Sequence, residues 1–237
     1  MVEILEKIKL VTKQRAEILT NAYKEVQCDY TYGGTYIFEK GKIYGIIGEY
    51  GEGGETISSI MSGKIITKEE EIYYDDVKIE NPNLQEIGWY VGKSEYRKGL
   101  IKREVSVRKA LSYAVKKYKR YNSVDEVVED FHLTPERLNL ELWKYSGEKW
   151  RASLAIGYAC RKEIYCFSWM NTISFTNIMI SSGVFRFFKR MKEEGLIVIL
   201  PTSRKENVIG LADEIIEIDT SRYKRVISEN PYFIEHF

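Results

Sequence analysis

Lys42-Ile-Tyr-Gly-Ile-Ile-Gly48-Glu49-Tyr50-Gly51-Glu52-Gly53-Gly54-Glu55-Thr56 is the stretch that decides the fold of this 237-residue chain. A β-branched, apolar run ends in a cluster of glycines. Ile57, Ile60 and Met61 then recur at helical spacing until Gly63 closes the element. Strand, glycine turn and helix, in that order, are the setting of a phosphate-binding loop, where backbone N–H groups wrap an anion at a helix N-terminus. Glycine suits that task because it admits positive φ and puts no side chain between amide and phosphate. Gly48, Gly51, Gly53 and Thr56 fit the pattern G-x-x-G-x-G-K-[ST] and its following hydroxyl residue. Gly54 replaces its lysine, and Glu55 replaces the hydroxyl that would ligate magnesium.

A carboxylate about 5 Å from a phosphate charge is repelled by roughly 3 kcal/mol at an effective dielectric near 20, and the attraction lost with the lysine is of similar size. An acidic side chain at a helix N-terminus instead gains roughly 0.3–1 kcal/mol from the helix dipole. The loop is therefore expected to cap itself, with Glu52 or Glu55 where a phosphate would lie.

Working outward, residues 35–47 give two aromatic and β-branched runs split by a Lys-Gly turn, and EEIYYDDVKI alternates like a hairpin. IGWYV is a short strand. Val107–Tyr121 is an amphipathic, basic helix, and Ser123 caps a second helix whose first turn is acidic. The final third alternates: a helix after Ser146, a strand at Ile164–Phe167, a helix at Val184–Glu194, the strand LIVIL, a further helix, and the strand EIIEI. Strands separated by helices imply a parallel sheet with right-handed crossovers.

Composition excludes several classes. There are 36 Lys+Arg against 35 Asp+Glu, so the chain lacks the basic excess of a general nucleic-acid binder. Cys28, Cys160 and Cys166 are scattered and odd in number, which suits reduced thiols. His132 and His236 are the whole histidine complement, too few for a histidine metal centre or a Ser/His triad. The longest apolar run, Leu196–Leu200, is far below the roughly 20 residues of a spanning helix. The basic run Lys116, Lys117, Lys119 and Arg120 shares its helix with tyrosines and reads as a solvated face.

Order and spacing along nearly the whole chain resemble an ATP-binding cassette, the nucleotide-binding domain of ABC transporters. GKIYGIIGEYG is similar to the family's strand into the Walker A loop, and IGWYVGK to the strand into the Q-loop, with Lys93 at the glutamine. SVRKALSYA resembles the start of the helical subdomain. KYSGEKWRASLAIGYA resembles the signature stretch and its helix, keeping Ser146 and Gly147 but placing Glu148 and Lys149 next. GLIVILPTS and LADEIIEID resemble the end of the cassette, with Ser203 at the switch histidine. A gapless reading from the signature puts Trp169 and Met170 at the two Walker B acids. A shift of one puts Ser168 and Trp169 there, and neither register supplies a carboxylate.

The resemblance implies an α/β fold: a P-loop NTPase-like core with a mixed or parallel sheet, an N-terminal antiparallel β part and an inserted helical subdomain. The division expected is core at 1–92 and 147–237, helical insertion at 93–146. It implies Tyr30 or Tyr32 near an adenine. With the lysine, metal ligands, glutamate and histidine all replaced, no catalytic residue, no metal and no cofactor are expected in the chain's own site, and Mg-ATP would bind weakly there. The function implied is a non-hydrolytic cassette subunit, cytoplasmic and peripheral at the inner membrane face. It would dock on an integral membrane permease through the groove at Lys93–Ile101, pair with a second cassette in a homo- or heterodimer, and bind no nucleic acid. An ATPase using unusual residues and a soluble cassette-shaped scaffold are the alternatives.

Overall fold

The computed structural model describes residues 7–20, 26–65, 70–93, 96–97 and 103–221. Two long strands open the chain, β1 (Lys7–Thr20) and β2 (Val26–Glu39), followed by β3 (Ile43–Ile47), α1 (Gly54–Met61), β4 (Glu71–Tyr74) and β5 (Val77–Ile79). Then come α2 (Asn81–Ile87), β6 (Gly88–Tyr90), the small strands β7 (Tyr96–Arg97) and β8 (Arg103–Glu104), α3 (Val107–Tyr118) and α4 (Val124–Asp130). The last third holds α5 (Lys149–Ala159), β9 (Ile164–Cys166), α6 (Thr172–Phe175), α7 (Phe188–Glu193), β10 (Ile197–Thr202) and β11 (Glu214–Glu217).

Strands β11-β3-β10-β9-β6 form a wholly parallel sheet, and β2-β1-β4-β5 an antiparallel one. Every residue of β10 is buried, as a parallel strand covered on both faces requires. Its side chains alternate between two cores. Val198 and Leu200 point into a cluster with α3, α4, α5 and α7, whereas Ile197 and Ile199 join one with α1 and the antiparallel sheet. Tyr165 of β9 and Ile43 of β3 face the first cluster, and Cys166, Tyr44 and Ile46 the second. The parallel sheet is thus a wall between cores, and α1 lies in the sandwich with all of its residues buried.

Local signals explain several elements. Ser123 accepts from the Glu126 amide at 3.1 Å and caps α4, and Ser106 caps α3. Asp75 and Asp76, at φ 42° and 64°, make the tight turn between β4 and β5. In three places the structure departs from the sequence reading. The helix expected between β10 and β11 is only a 3-10 turn at Lys205–Asn207, followed by Gly210 at φ 81° and by Asp213, whose carboxylate accepts the Ile43 amide at 2.9 Å. After α6 the chain continues as a π-helical segment, Thr176–Ser181, which no periodicity announces. The helix read at Val184–Glu194 begins as a 3-10 turn, Val184–Phe187, before α7. Residues Leu100 and Ile101 of the expected docking groove lie outside the described residues, and of Tyr96 only the backbone is described.

Candidate functional site

The glycine loop leaves β3 at Ile47 and enters α1 at Gly54. Gly51 and Gly53 have φ of 87° and 94°, conformations that side-chain-bearing residues rarely adopt. A Cβ on Gly53 would meet the Tyr30 carbonyl oxygen at 2.6 Å, so β2 lies directly against the loop. The Tyr30 amide donates to the Gly51 carbonyl at 2.8 Å, fixing that approach.

Asp29, the residue before Tyr30 on β2, reaches the N-terminus of α1. Its Oδ1 accepts from the Gly53 amide at 2.8 Å and its Oδ2 from the Thr56 amide at 2.7 Å. It is 1% exposed. Burial raises its carboxyl above the ordinary aspartate value, against the lowering pull of the Gly53 and Thr56 hydrogen bonds. At the other end of the loop, Glu52 Oε2 accepts from the Glu49 amide at 2.6 Å. Amides of the kind that would cradle phosphate therefore hold carboxylates of the same chain.

Glu55, expected as an alternative cap, turns away from the helix terminus. Its Oε2 accepts from the Trp169 amide at 2.8 Å. Its Oε1 accepts from the Tyr90 hydroxyl, from Lys64 Nζ at 3.2 Å and from Ser59 Oγ at 3.4 Å. Lys64 also sits over the Tyr90 ring, 3.8 Å from its centroid. Burial and the adjoining Glu55 charge raise the Tyr90 phenol well above its usual range. Trp169 donates its indole N–H to the Gly48 carbonyl at 2.9 Å and meets Tyr50 edge-on with ring centroids 5.0 Å apart. A side chain at Gly54 would begin 3.1 Å from Pro201 and 3.4 Å from Trp169.

The remaining sequence-predicted residues fall in three places. Met170 is fully buried, pairs with Thr202 in a parallel bridge and accepts the Ser203 amide at 3.2 Å, so Trp169, Met170 and Ser203 come together beside the loop. Lys93 is exposed after a turn at Gly92. Ser146 and Gly147 are exposed ahead of α5. Ser146 Oγ accepts from Arg137 at 3.4 Å, and a Cβ on Gly147 would meet nothing within 4 Å. Glu148 is buried, accepting from the Thr134 amide and from Arg151, each at 2.8 Å. Tyr32 is packed into the core and Tyr30 is half-buried. Among the described residues no group of three His, Cys, Asp or Glu is placed to hold a metal ion.

Sequence reasoning missed Asp29 and the Tyr90–Lys64 support of Glu55. The one signal for Asp29 was an acid set among aromatic residues in a strand that precedes the loop.

No protein-family model and no curated protein sequence matches the chain. Solved structures do match its fold. A bacterial ABC transporter cassette, MJ0796, solved as a dimer, is 20% identical, with 89% of this chain and 94% of that one covered and a TM-score of 0.60. CbiO1 from Clostridium perfringens, part of the ABC transporter complex cbiONQ, is 14% identical over 94% of this chain and 96% of that one, at a TM-score of 0.58. MJ1267, an ATP-binding cassette of an ABC transporter in its ADP conformation, is 14% identical over 91% and 88%, at 0.59.

Proposed function

We propose that this chain, which has the fold of an ATP-binding cassette, is a non-hydrolytic cassette subunit of a membrane transporter, its own nucleotide loop closed by its own carboxylates. The observation that carries this reading is the pair of hydrogen bonds from the Gly53 and Thr56 amides to Asp29. A nucleotide phosphate entering that loop would have to displace a buried carboxylate and would gain no lysine in exchange. Glu55 and Trp169 support the reading from the other side, since their mutual hydrogen bond joins the helix to the segment where metal-holding acids would be expected.

Such a subunit works through partners. It docks on an integral membrane permease at the cytoplasmic face, and no helix among the described residues is long and apolar enough to cross the membrane itself. It pairs with a second, competent cassette and offers Ser146 and Gly147, both exposed, to that partner's nucleotide. The test is ATP turnover by the reconstituted assembly. Ser146→Arg lowers turnover at least about tenfold, as expected for lost transition-state contacts, whereas Gly54→Lys leaves it unchanged. Unchanged turnover in Ser146→Arg would overturn the shared site.

A further inference from the structure

Glu148 follows the exposed pair Ser146 and Gly147 in the signature-like stretch, where an acid would repel a phosphate brought to Ser146. Its carboxylate faces inward instead. The residue is 6% exposed, and its Oε1 accepts from the Thr134 amide at 2.8 Å, from the Thr134 hydroxyl at 3.2 Å and from Arg151 Nη2 at 2.8 Å. It makes no cap hydrogen bond to α5, in contrast with Asp29 at α1.

The same carboxylate fixes a cation beside Ser146. Thr134 opens the 3-10 turn Pro135–Arg137, its carbonyl accepts from the Arg137 amide at 3.1 Å, and Leu133 and Leu138 are buried on either side. With Thr134 tied to Glu148, that turn is held to the start of α5. Arg137 Nη1 then lies 3.4 Å from Ser146 Oγ and 3.8 Å from Glu148 Oε2. Arg151 answers the Glu148 charge at the shorter distance, and the Arg137 side chain stays 44% exposed. Ser146 is the one hydrogen-bond partner of the Arg137 guanidinium among the described residues, which leaves most of its five donors open to an incoming oxyanion.

We propose that Arg137 is a phosphate contact of the shared nucleotide site, donating together with Ser146 to the nucleotide that the partner cassette holds, and that Glu148 is the positioning residue that keeps it there. The inference rests on the cassette reading above and deepens it: the chain gives the shared site a cation that its own glycine loop lacks. A planar guanidinium meets two phosphate oxygens at once, where a serine hydroxyl donates to one.

The test is Mg-ATP turnover by the transporter assembly purified from native membranes on a tag carried by this chain. Arg137→Ala lowers kcat/KM by about tenfold or more, while the urea midpoint of the full chain is unchanged because the side chain lies outside the core. Arg137→Lys, which keeps the charge but not the fork, loses less than Arg137→Ala. Glu148→Gln, which keeps an acceptor for the Thr134 amide, retains more turnover than Glu148→Ala. Full turnover in Arg137→Ala, with turnover lost in Ser146→Arg, would overturn the Arg137 contact and leave the cassette reading standing. Unchanged turnover in both, or a tag that recovers no ATP-hydrolysing assembly, would remove the reading and the contact with it. Equal losses in Arg137→Lys and Arg137→Ala, with a lowered urea midpoint, would make the residue a prop of its turn and so contradict the proposal.

Discussion

Asp29 sits 24 residues ahead of the Gly53 amide that it accepts from, on a different element, and on the proposed reading stands where an external anion would otherwise lie. Asp29→Ala leaves two buried N–H groups without acceptors. The expected cost is about 1–3 kcal/mol for each such group, read as a lowered urea midpoint with unchanged slope. Added inorganic phosphate recovers part of that loss in the variant and has no effect on the wild type, because only the variant has an open anion site. The pH dependence carries its own sign. The folded carboxyl is raised, chiefly by burial, so its contribution to stability is full below the unfolded aspartate value near 3.9 and is lost as pH rises through the folded one. Against Asp29→Asn, which has no such group, the stability of the wild type therefore falls as pH rises above about 4 and through the raised folded value. Sequence reading reached Glu52 and Glu55 because they lie inside the loop. It could not reach Asp29, since pairing of β2 against the loop is a tertiary event with no local pattern.

At the scale of elements, α1 is held by what crowds its first turn. Gly53→Ala combines φ of 94° with a Cβ 2.6 Å from the Tyr30 oxygen, and a loss of about 2 kcal/mol or more is expected in chemical unfolding. Gly54→Lys restores the motif on paper, yet its side chain starts against Pro201 and Trp169. The variant is expected to show changed tryptophan fluorescence and no gain in ATP binding. Strands β3 and β10 and helices α3 and α4 were legible because their signals are local: apolar runs, a helical stripe and serine caps. The π-helical segment at Thr176–Ser181 was not, because its hydrogen-bonding pattern leaves no distinct spacing in the sequence. The segment between β10 and β11 was read as a helix because strands in a parallel sheet are usually joined by one; here it is a 3-10 turn at Lys205–Asn207, followed by Gly210 at φ 81° ahead of β11.

Across the whole molecule the parallel sheet divides two cores, and an ion pair at the surface, Lys192 with Asp213, ties an outer helix to it. Asp213 joins β3, through the Ile43 amide, to α7, through Lys192. Burial alone would raise its carboxyl, but Lys192 and the Ile43 amide overcome that and hold it below the ordinary value. Its stabilisation is therefore present above the unfolded value near 3.9 and lost as pH falls through the folded one, so Asp213→Asn lowers stability at neutral pH and flattens the acid limb of the unfolding curve. On the proposed reading, the acceptance of the Gly53 and Thr56 amides by Asp29 closes the glycine loop and sets its chemistry. Calorimetric titration of the purified chain with Mg-ATP tests that closure most directly. The account predicts no saturable heat up to millimolar ATP; micromolar binding by the wild type would contradict it, because Asp29 and Glu52 would then have yielded the loop to phosphate.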